Sequence, residues 1–219
     1  SVCLLSDCSI YEQLILASGG LEPEVIRERE LGYYAALTRS TSADIRIYRQ
    51  ELNRLITDYQ LSSSDPFVVT PTMQDFANRD GAIIYGLEAQ FSYRPGTRDR
   101  VVFGYANTRI RDTGQGDAED SAPHVSGSLM LVRGLTDTLQ ASATYYYVGS
   151  MSFTDSHMLK PVRRLDLRLA QTFGMSGGDG SIALVAQNVL DDDLEYDPQL
   201  DPGNSFGRRI FLTVGLNYR

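Results

Sequence analysis

Apolar and polar residues alternate along most of the chain. Residues Arg164 to Phe173 read R-L-D-L-R-L-A-Q-T-F, which puts the leucines on one side of an extended segment and the charged residues on the other. A helix would scatter these charges around its circumference, whereas a strand separates them. The same two-residue period runs through Tyr85 to Arg94, Leu139 to Val148 and Ile210 to Tyr218. The pattern therefore predicts β-structure.

Weaker alternation extends the assignment to about nine strands in total. The further segments are Leu31 to Arg39, Asp44 to Leu52, Arg100 to Ile110, Val125 to Arg133 and Ser181 to Asn188. Most strands are about 9–11 residues long, which is the length a tilted strand needs to cross a bilayer. Strands of ordinary sandwich proteins are nearer 5–6 residues. Strand length thus favours a membrane barrel.

The connections between the predicted strands are alternately short and long. The short ones carry the turn-forming residues Gly, Pro, Asp and Ser, and they are Thr41 to Asp44, Pro95 to Asp99, Gly134 to Thr138 and Ser176 to Gly180. The long ones are Asn53 to Gly81, Asp112 to Pro123, Gly149 to Pro161 and Asp191 to Gly207. This order is typical of an up-and-down antiparallel barrel with tight turns at one rim and long external loops at the other. A Greek-key sandwich would not arrange its loops so regularly.

The alternation alone does not decide what touches the apolar face. In a soluble sandwich that face packs against a second sheet, whereas in a membrane barrel it faces lipid and the polar face lines the lumen. Tyrosine and phenylalanine gather near strand ends, as an interfacial girdle requires, although both are also good strand formers. On the membrane interpretation Glu88, Arg164, Asp166 and Arg168 face the lumen. There they form a charge ladder between strands or line a substrate path.

An odd number of strands does not close a bacterial single-chain barrel, and an open sheet would leave unpaired edges in lipid. We therefore expect the chain to be the C-terminal part of a larger barrel, or to have partner strands elsewhere. In this division residues 1–30 are an external loop segment leading into the barrel, and residues 31–219 are barrel.

Composition narrows the function classes. The 219 residues carry a net charge of −8, which argues against non-specific binding to nucleic acid. No apolar run reaches the roughly 18 residues of a membrane helix. With two histidines and two cysteines, the chain has little material for a zinc site.

Several segments, in order and in register, resemble the TonB-dependent outer-membrane receptors. The run L-E-P-E at Leu21 to Glu24, followed by E-L-G-Y at Glu30 to Tyr33, resembles their "L-x-P-E … E-x-G" signature. The other similar segments are Asp44 to Ile56, Asn78 to Glu88 ("N-x-G … G-x-E"), Ala122 to Ser126, Gln187 to Asp192 and Gly207 to Arg219.

The resemblance implies a 22-stranded all-β barrel, of which this chain is roughly the last nine strands. The TonB box, the plug domain and the first thirteen strands of the family then lie outside it, and the usual terminal aromatic residue is absent after Tyr218. The implied function is active import of a scarce nutrient such as a ferric siderophore across the bacterial outer membrane. The implied partners are outer-membrane lipid, the ligand, and TonB through the missing plug region. The lumen-facing charges would then include plug contacts.

Cys3 and Cys8 form a C-x4-C arrangement in the predicted external loop. In an oxidising compartment a small-loop disulfide is expected, with two free thiols, or one thiol pairing elsewhere, as alternatives.

Carboxylates crowd two predicted loops, where they would bind Ca²⁺ or simply form solvated charged surface. They are Asp112, Asp117, Glu119 and Asp120 in one loop and Asp191, Asp192, Asp193, Glu195, Asp197 and Asp201 in the other. The run that starts at Asp191 lacks the spacing of an EF-hand, and solvated loops are favoured. His124 and His157 are isolated and are interpreted as incidental, not as metal ligands.

No catalytic constellation stands out. The chain lacks G-x-S-x-G, and S-G-G-D-G at Ser176 to Gly180 lacks the Lys-Ser/Thr of a phosphate loop, so it is interpreted as a turn. We therefore expect neither catalysis nor a cofactor. A soluble all-β binding or structural module, and less favoured an outer-membrane barrel enzyme, are the competing interpretations.

Overall fold

The computed structural model describes residues 15–16, 19–61, 74–113, 118–154, 157–191 and 206–218. Its regular structure within these ranges is entirely β. The strands are β1 Ile15–Leu16, β2 Val25–Ala36, β3 Thr41–Gln60, β4 Gln74–Tyr93, β5 Asp99–Asp112, β6 Val125–Gly134, β7 Leu139–Val148, β8 Met151–Thr154, β9 His157–Leu159, β10 Val162–Met175, β11 Gly178–Gln187 and β12 Arg209–Tyr218. In the described part of the chain, no helix is long and apolar enough to cross a bilayer.

Nine of the strands pair side by side almost in chain order. The path runs β12-β11-β10-β7-β6-β5-β4-β3-β2, with β1 pairing in parallel beside β4 and β8 and β9 forming a separate hairpin. The prediction of nine strands in an up-and-down antiparallel sheet is confirmed. In the described residues the path is open, with β2 and β12 as its ends.

Tight turns join alternate strand pairs, as predicted. They occupy residues 37–40, 94–98, 135–138 and 176–177. The predicted position of the first turn, Thr41 to Asp44, is wrong, because those residues begin β3 and the turn is formed before them, where the Ser40 amide donates to Thr38 Oγ1 at 3.1 Å. In the last of these Gly177 has φ +85°, a conformation that glycine adopts without steric cost. The interpretation of S-G-G-D-G as a turn is confirmed for Ser176 and Gly177, whereas Gly178 to Gly180 already belong to β11.

Several predicted strand ends are wrong. Strands β3 and β4 are 20 residues each, so the connection between them is confined to residues 61–73, not the predicted Asn53 to Gly81. The alternation that guided the prediction stops near Arg54, whose φ of 60° marks an irregularity inside the strand. An irregularity of this kind changes which face the following side chains point to, while the strand itself continues. Likewise, β2 begins at Val25, not Leu31, because its charged first half shows no alternation.

The described chain divides into two compact units, of which the smaller comprises Ser1–Glu28, Gln50–Ile83 and Arg111–Ala118. There Asn78 holds the segment before β2 through three hydrogen bonds of 2.7 Å. Its Oδ1 accepts from the Glu22 amide, and its Nδ2 donates to the carbonyls of Glu22 and Arg54. The Ile56 amide, just past the irregularity, donates to Glu24 Oε1 at 2.9 Å. Side chains thus satisfy backbone groups where the regular ladder is interrupted.

The larger unit comprises Arg29–Arg49, Ile84–Ile110 and Glu119–Arg219. Cross-strand partners lie on the same side of a sheet, so the register defines its faces. One row joins Phe103, Leu129, Tyr145 and Leu165, and the next joins Val101, Leu131, Ala143, Leu167 and Ala186. Phe91 of β4 stacks on Phe103 with ring centroids 6.5 Å apart, so it belongs to the same face.

This apolar face is uncovered in the described part of the chain. Leu167 is 39% exposed, Leu169 45% and Leu184 51%. A large exposed apolar surface is rare on a soluble monomer and marks contact with a partner or with lipid.

The opposite face carries small and polar residues. Arg164 is in register with Tyr146, Ser128 and Gly104, and two residues further along the strand Asp166 is in register with Thr144. The charges and the leucines predicted to separate on β10 are therefore on opposite sides of the sheet.

Candidate functional site

The polar face of the larger unit contains a groove of about 700 Å³. Its floor is made of small residues on β5 and β6, among them Gly104, Ser126 and Ser128, and its wall includes Glu30, Arg46 and Glu88. Small side chains leave space above the sheet, and charged neighbours make that space polar. The groove is thus an aqueous surface suited to polar groups.

A charge ladder crosses β2, β3 and β4 at one side of this groove. Arg46 Nη1 is 3.1 Å from Glu30 Oε2, and Arg46 Nη2 is 2.7 Å from Glu88 Oε2. Each strand contributes one member. Successive side chains of a strand point to opposite faces of the sheet, and these three point to the same face. With two carboxylates on one guanidinium, the ladder carries a net negative charge.

Tyr48 packs beside the ladder over a glycine. The Arg46 guanidinium carbon is 5.3 Å from the centroid of the Tyr48 ring. The ring occupies the space where a side chain of Gly86 would begin, since a Cβ there would lie 2.0 Å from Tyr48 Cζ. Gly86 is therefore required by close approach.

A second cluster joins β10 to the ends of β11 and β12. Arg164 donates to both oxygens of Asp166, from Nε at 2.8 Å and from Nη2 at 2.6 Å, and Asp166 Oδ1 also accepts from the Asn188 amide at 3.0 Å. Asn188 is fully buried with φ 50°, and its Nδ2 donates to the Phe206 carbonyl at 2.9 Å. Asparagine tolerates this left-handed conformation better than most residues.

Two arginines hold the ring of Phe206 in this second cluster. The guanidinium carbon of Arg164 lies 5.1 Å from the ring centroid, and that of Arg209 lies 4.0 Å from it. Cations near an aromatic ring are attracted by its quadrupole. The cluster thereby fixes both ends of the connection between β11 and β12.

The four charges predicted to face the lumen share the polar face but do not form one site. Glu88 belongs to the Arg46 ladder, and Arg164 and Asp166 belong to the Asn188 cluster. Arg168 is in register with Ser142 and Val132 and, within the described residues, makes no ion pair. That this face is the lumen of a barrel stays a prediction.

Among the histidines and carboxylates of the predicted loops, Asp191 adjoins the second cluster, since its amide donates to the Asn188 carbonyl at 2.9 Å. His124 Nδ1 is 3.1 Å from Arg109 Nη1, and His124 Nε2 is 3.6 Å from Asp120. His157 begins strand β9. Among the residues that the structure describes, no group of three or more His, Cys, Asp or Glu could hold a metal ion.

Of the remaining carboxylate and cysteine candidates, some are described by the structure and the others lie outside the described ranges. Asp112 Oδ2 accepts from the Ala118 amide at 2.8 Å, and Asp191 Oδ1 accepts from the Arg208 amide at 3.1 Å. The candidates outside the described residues are Cys3, Cys8, Asp117, Asp192, Asp193, Glu195, Asp197 and Asp201. The disulfide therefore stays a prediction.

Sequence reasoning missed five members of the clusters: Glu30, Arg46, Asn188, Phe206 and Arg209. A signal existed for two of them, because Glu30 and Arg46 lie on the two strands that flank one tight turn, at residues 37–40, and a hairpin brings its strands side by side. For Asn188 and Phe206 no local pattern exists, since their contact depends on how the chain returns from β11 to β12.

Comparison with known proteins gives a family match over most of the chain. A family model described as "TonB dependent receptor-like, beta-barrel" matches residues 10–189. No protein of curated function matches the sequence at a significant level.

Solved structures share the fold at low sequence identity. The FrpB iron transporter from Neisseria meningitidis superposes with a TM-score of 0.66 at 16% identity, covering 93% of this chain and 32% of that one. A mutant of the ferric enterobactin receptor PfeA from Pseudomonas aeruginosa gives 0.64 at 18% identity, covering 89% and 31%. The copper transporter OprC gives 0.67 at 14% identity, covering 89% and 31%. The chain thus spans about a third of the length of these three structures.

Proposed function

Because this chain belongs to the TonB-dependent receptor β-barrel family, we propose that it forms part of the barrel wall and the external loops of an outer-membrane receptor. The receptor imports a scarce nutrient, a ferric siderophore. The family is one of transporters and receptors. We therefore set aside the two competing interpretations, a soluble all-β module and an outer-membrane barrel enzyme. The whole receptor's transport, its ligand and its coupling to TonB through the plug region are part of the proposal.

The observation that carries the proposal is the contrast between the two faces of one continuous sheet. Leucines 39–51% exposed lie on one side, and ion pairs with small residues lie on the other. A bilayer covers the first face without any second protein layer, and a water-filled lumen solvates the second. Outer-membrane lipid is therefore the proposed partner of the leucine face.

The ligand class is supported by the kinds of protein that share the fold. Similar structures include a receptor for ferric enterobactin and an iron transporter. The copper transporter among them makes copper the competing cargo. External loops, here the connections that join β3 to β4, β5 to β6, β7 to β10 and β11 to β12, would meet the ligand first.

The test is uptake by the full-length receptor in cells. A deletion strain, and the same strain carrying the receptor gene, are grown under iron limitation with one purified ferric siderophore at a time. Radioactive iron uptake should be lost on deletion for at least one siderophore, restored by the gene, and abolished again when the proton-motive force is collapsed. If every siderophore is taken up normally in the deletion strain while copper accumulation falls, the ligand assignment is wrong.

A further inference from the structure

A recess of about 560 Å³ lies on the apolar face, between leucines of β6 and β10. Its floor is on β7, where the side chains of Ala141 and Ala143 are short. The register puts Leu131 of β6 on one side of these alanines and Leu167 and Leu169 of β10 on the other. The recess therefore follows a strand and is lined by hydrocarbon, so it fits an extended hydrocarbon chain.

The end of this recess nearest the tight turns is charged. Arg133 lines it and is in register with Ala141, so Arg133 projects from the apolar face. Asp99, the first residue of β5, is in register with Arg133 and shares that face. Within the described part of the chain, neither side chain makes an ion pair or a side-chain hydrogen bond. A cation and an anion thus lie side by side at one end of an apolar recess, and both are available to a ligand.

The position of Arg133 along its strand suits contact with a lipid headgroup. It lies two residues before the turn at residues 135–138, which is about 7 Å along the strand. Tyr93 and Tyr218 end β4 and β12 at the same edge of the sheet. On the proposed function this edge is a membrane interface, where tyrosine is enriched. A long arginine side chain there lays its hydrocarbon stem on apolar surface and keeps its charge in water.

The two charges together define the chemistry of the headgroup. A phosphate accepts paired hydrogen bonds from a guanidinium, and an ammonium group donates hydrogen bonds to a carboxylate. Directly opposite residues of neighbouring strands have Cβ atoms about 4.5–5.5 Å apart, so one small headgroup reaches both. A headgroup with negative charge alone would satisfy Arg133 but would lie against the carboxylate of Asp99. The complementary headgroup therefore carries a phosphate and a primary ammonium group.

We propose that Arg133 and Asp99 bind the headgroup of an aminophospholipid, and that the recess over Ala141 and Ala143 holds one of its acyl chains. The proposal rests on the proposed function, in which lipid covers the apolar face, and it adds a defined site and a lipid class. Elsewhere on this face the leucines offer a headgroup no charge, so lipids exchange there freely. At Arg133 one lipid is retained.

The experiment measures lipid binding to the purified full-length receptor. Lipid-free receptor in detergent is titrated with phosphatidylethanolamine, phosphatidylglycerol or phosphatidylcholine of identical acyl chains. Native mass spectrometry reports the dissociation constant of the first lipid bound. Phosphatidylethanolamine should bind about three- to fivefold more tightly than the other two, the range that one partly exposed ion pair provides. Phosphatidylglycerol lacks the ammonium group, and the methylated ammonium of phosphatidylcholine donates no hydrogen bond.

Single substitutions separate the contributions of the two charges and of the recess. Arg133→Gln should weaken phosphatidylethanolamine binding about three- to fivefold, whereas Asp99→Asn should abolish the preference over phosphatidylglycerol. Ala141→Leu fills the recess without altering charge and should weaken the binding of all three lipids. Arg100→Gln is the matched control and should change neither affinity nor preference, because Arg100 follows Asp99 in β5 but projects from the opposite face.

Equal affinity for the three lipids, a preference for phosphatidylglycerol, or an equal loss of binding in Arg100→Gln would overturn the proposal. So would a receptor dimer that forms in place of lipid binding, which would indicate that a second copy of the receptor covers the recess. Arg133→Lys keeps the positive charge and should retain part of the affinity that Arg133→Gln loses.

The failure of this inference is distinguishable from the failure of the proposed function. Heat-modifiable migration on gels and resistance to extraction show whether each variant forms a membrane-embedded barrel. If the receptor is not embedded, the proposed function fails. If it is embedded and imports its ligand while the preference for phosphatidylethanolamine is absent, the lipid site alone is wrongly assigned.

Discussion

In the larger unit, the same strands place apolar side chains on one face of the sheet and charged side chains on the other. On β10, Leu165, Leu167 and Leu169 alternate with Arg164, Asp166 and Arg168. Leu167 and Leu169 are exposed and touch no second layer in the described residues, whereas Arg164 and Asp166 are partly buried and paired with each other. Specific ion pairs therefore fix side chains on the polar face. On the proposed function, lipid surrounds the side chains of the apolar face.

The largest expected effect comes from putting a charge on the apolar face. Leu167→Arg should destabilise the embedded full-length receptor by about 2–4 kcal/mol, the cost of arginine at the middle of a bilayer. The measurement is urea unfolding in lipid vesicles. Thr144→Arg, on the polar face beside Asp166, is the control and should cost less than about 1 kcal/mol. Equal costs at both positions would contradict the assignment of the faces.

The next effect concerns close packing on the polar face. Gly86→Ala places a Cβ against the Tyr48 ring and should cost about 1–3 kcal/mol of unfolding free energy, because the ring must move. Gly32→Ala is the matched control, since its nearest neighbouring atom is 3.9 Å away. The double variant Y48A/G86A should relieve the clash. Failure of that relief would show that the cost has another origin.

Replacing the buried Asn188 should lower the free energy of unfolding by a comparable or smaller amount. Asn188→Ala removes the donor to the Phe206 carbonyl and puts alanine at φ 50°, so we expect a loss of about 1–3 kcal/mol in the same unfolding assay. Asn188→Gly removes the same donor but tolerates the backbone conformation, so it should cost less. A glycine variant as unstable as the alanine variant would assign the whole effect to the lost hydrogen bond.

The smallest effect is expected at the Arg46 ladder. Arg46→Gln removes two exposed ion pairs, which salt already weakens. The urea midpoint should shift slightly at low ionic strength and return to the wild-type value at about 1 M salt. A shift that persists at high salt would show that Arg46 acts through packing on Tyr48 instead of through charge.

Strand prediction succeeded where the local pattern is unambiguous. The segment Leu139 to Val148 alternates without interruption between turn residues, and β7 has those bounds. It failed at Arg54, where a backbone irregularity interrupts the alternation of apolar and polar residues. The predicted strand ends near this point, whereas β3 continues to Gln60. The candidate site was predicted only in part for a related reason. Alternation shows which charges share a face, but pairing depends on register between strands.

By itself, the sequence determined the class of fold, the number and order of the main strands, and the separation of leucines from charges on β10. These follow from a two-residue period and from short turns, which are local properties of the chain. Only the tertiary structure decided that Arg46 is held by Glu30 and Glu88, that Asn188 meets Phe206, and that Asp99 lies beside Arg133. Such contacts join residues far apart in sequence, and the stagger of neighbouring strands, which no local pattern encodes, sets their distances.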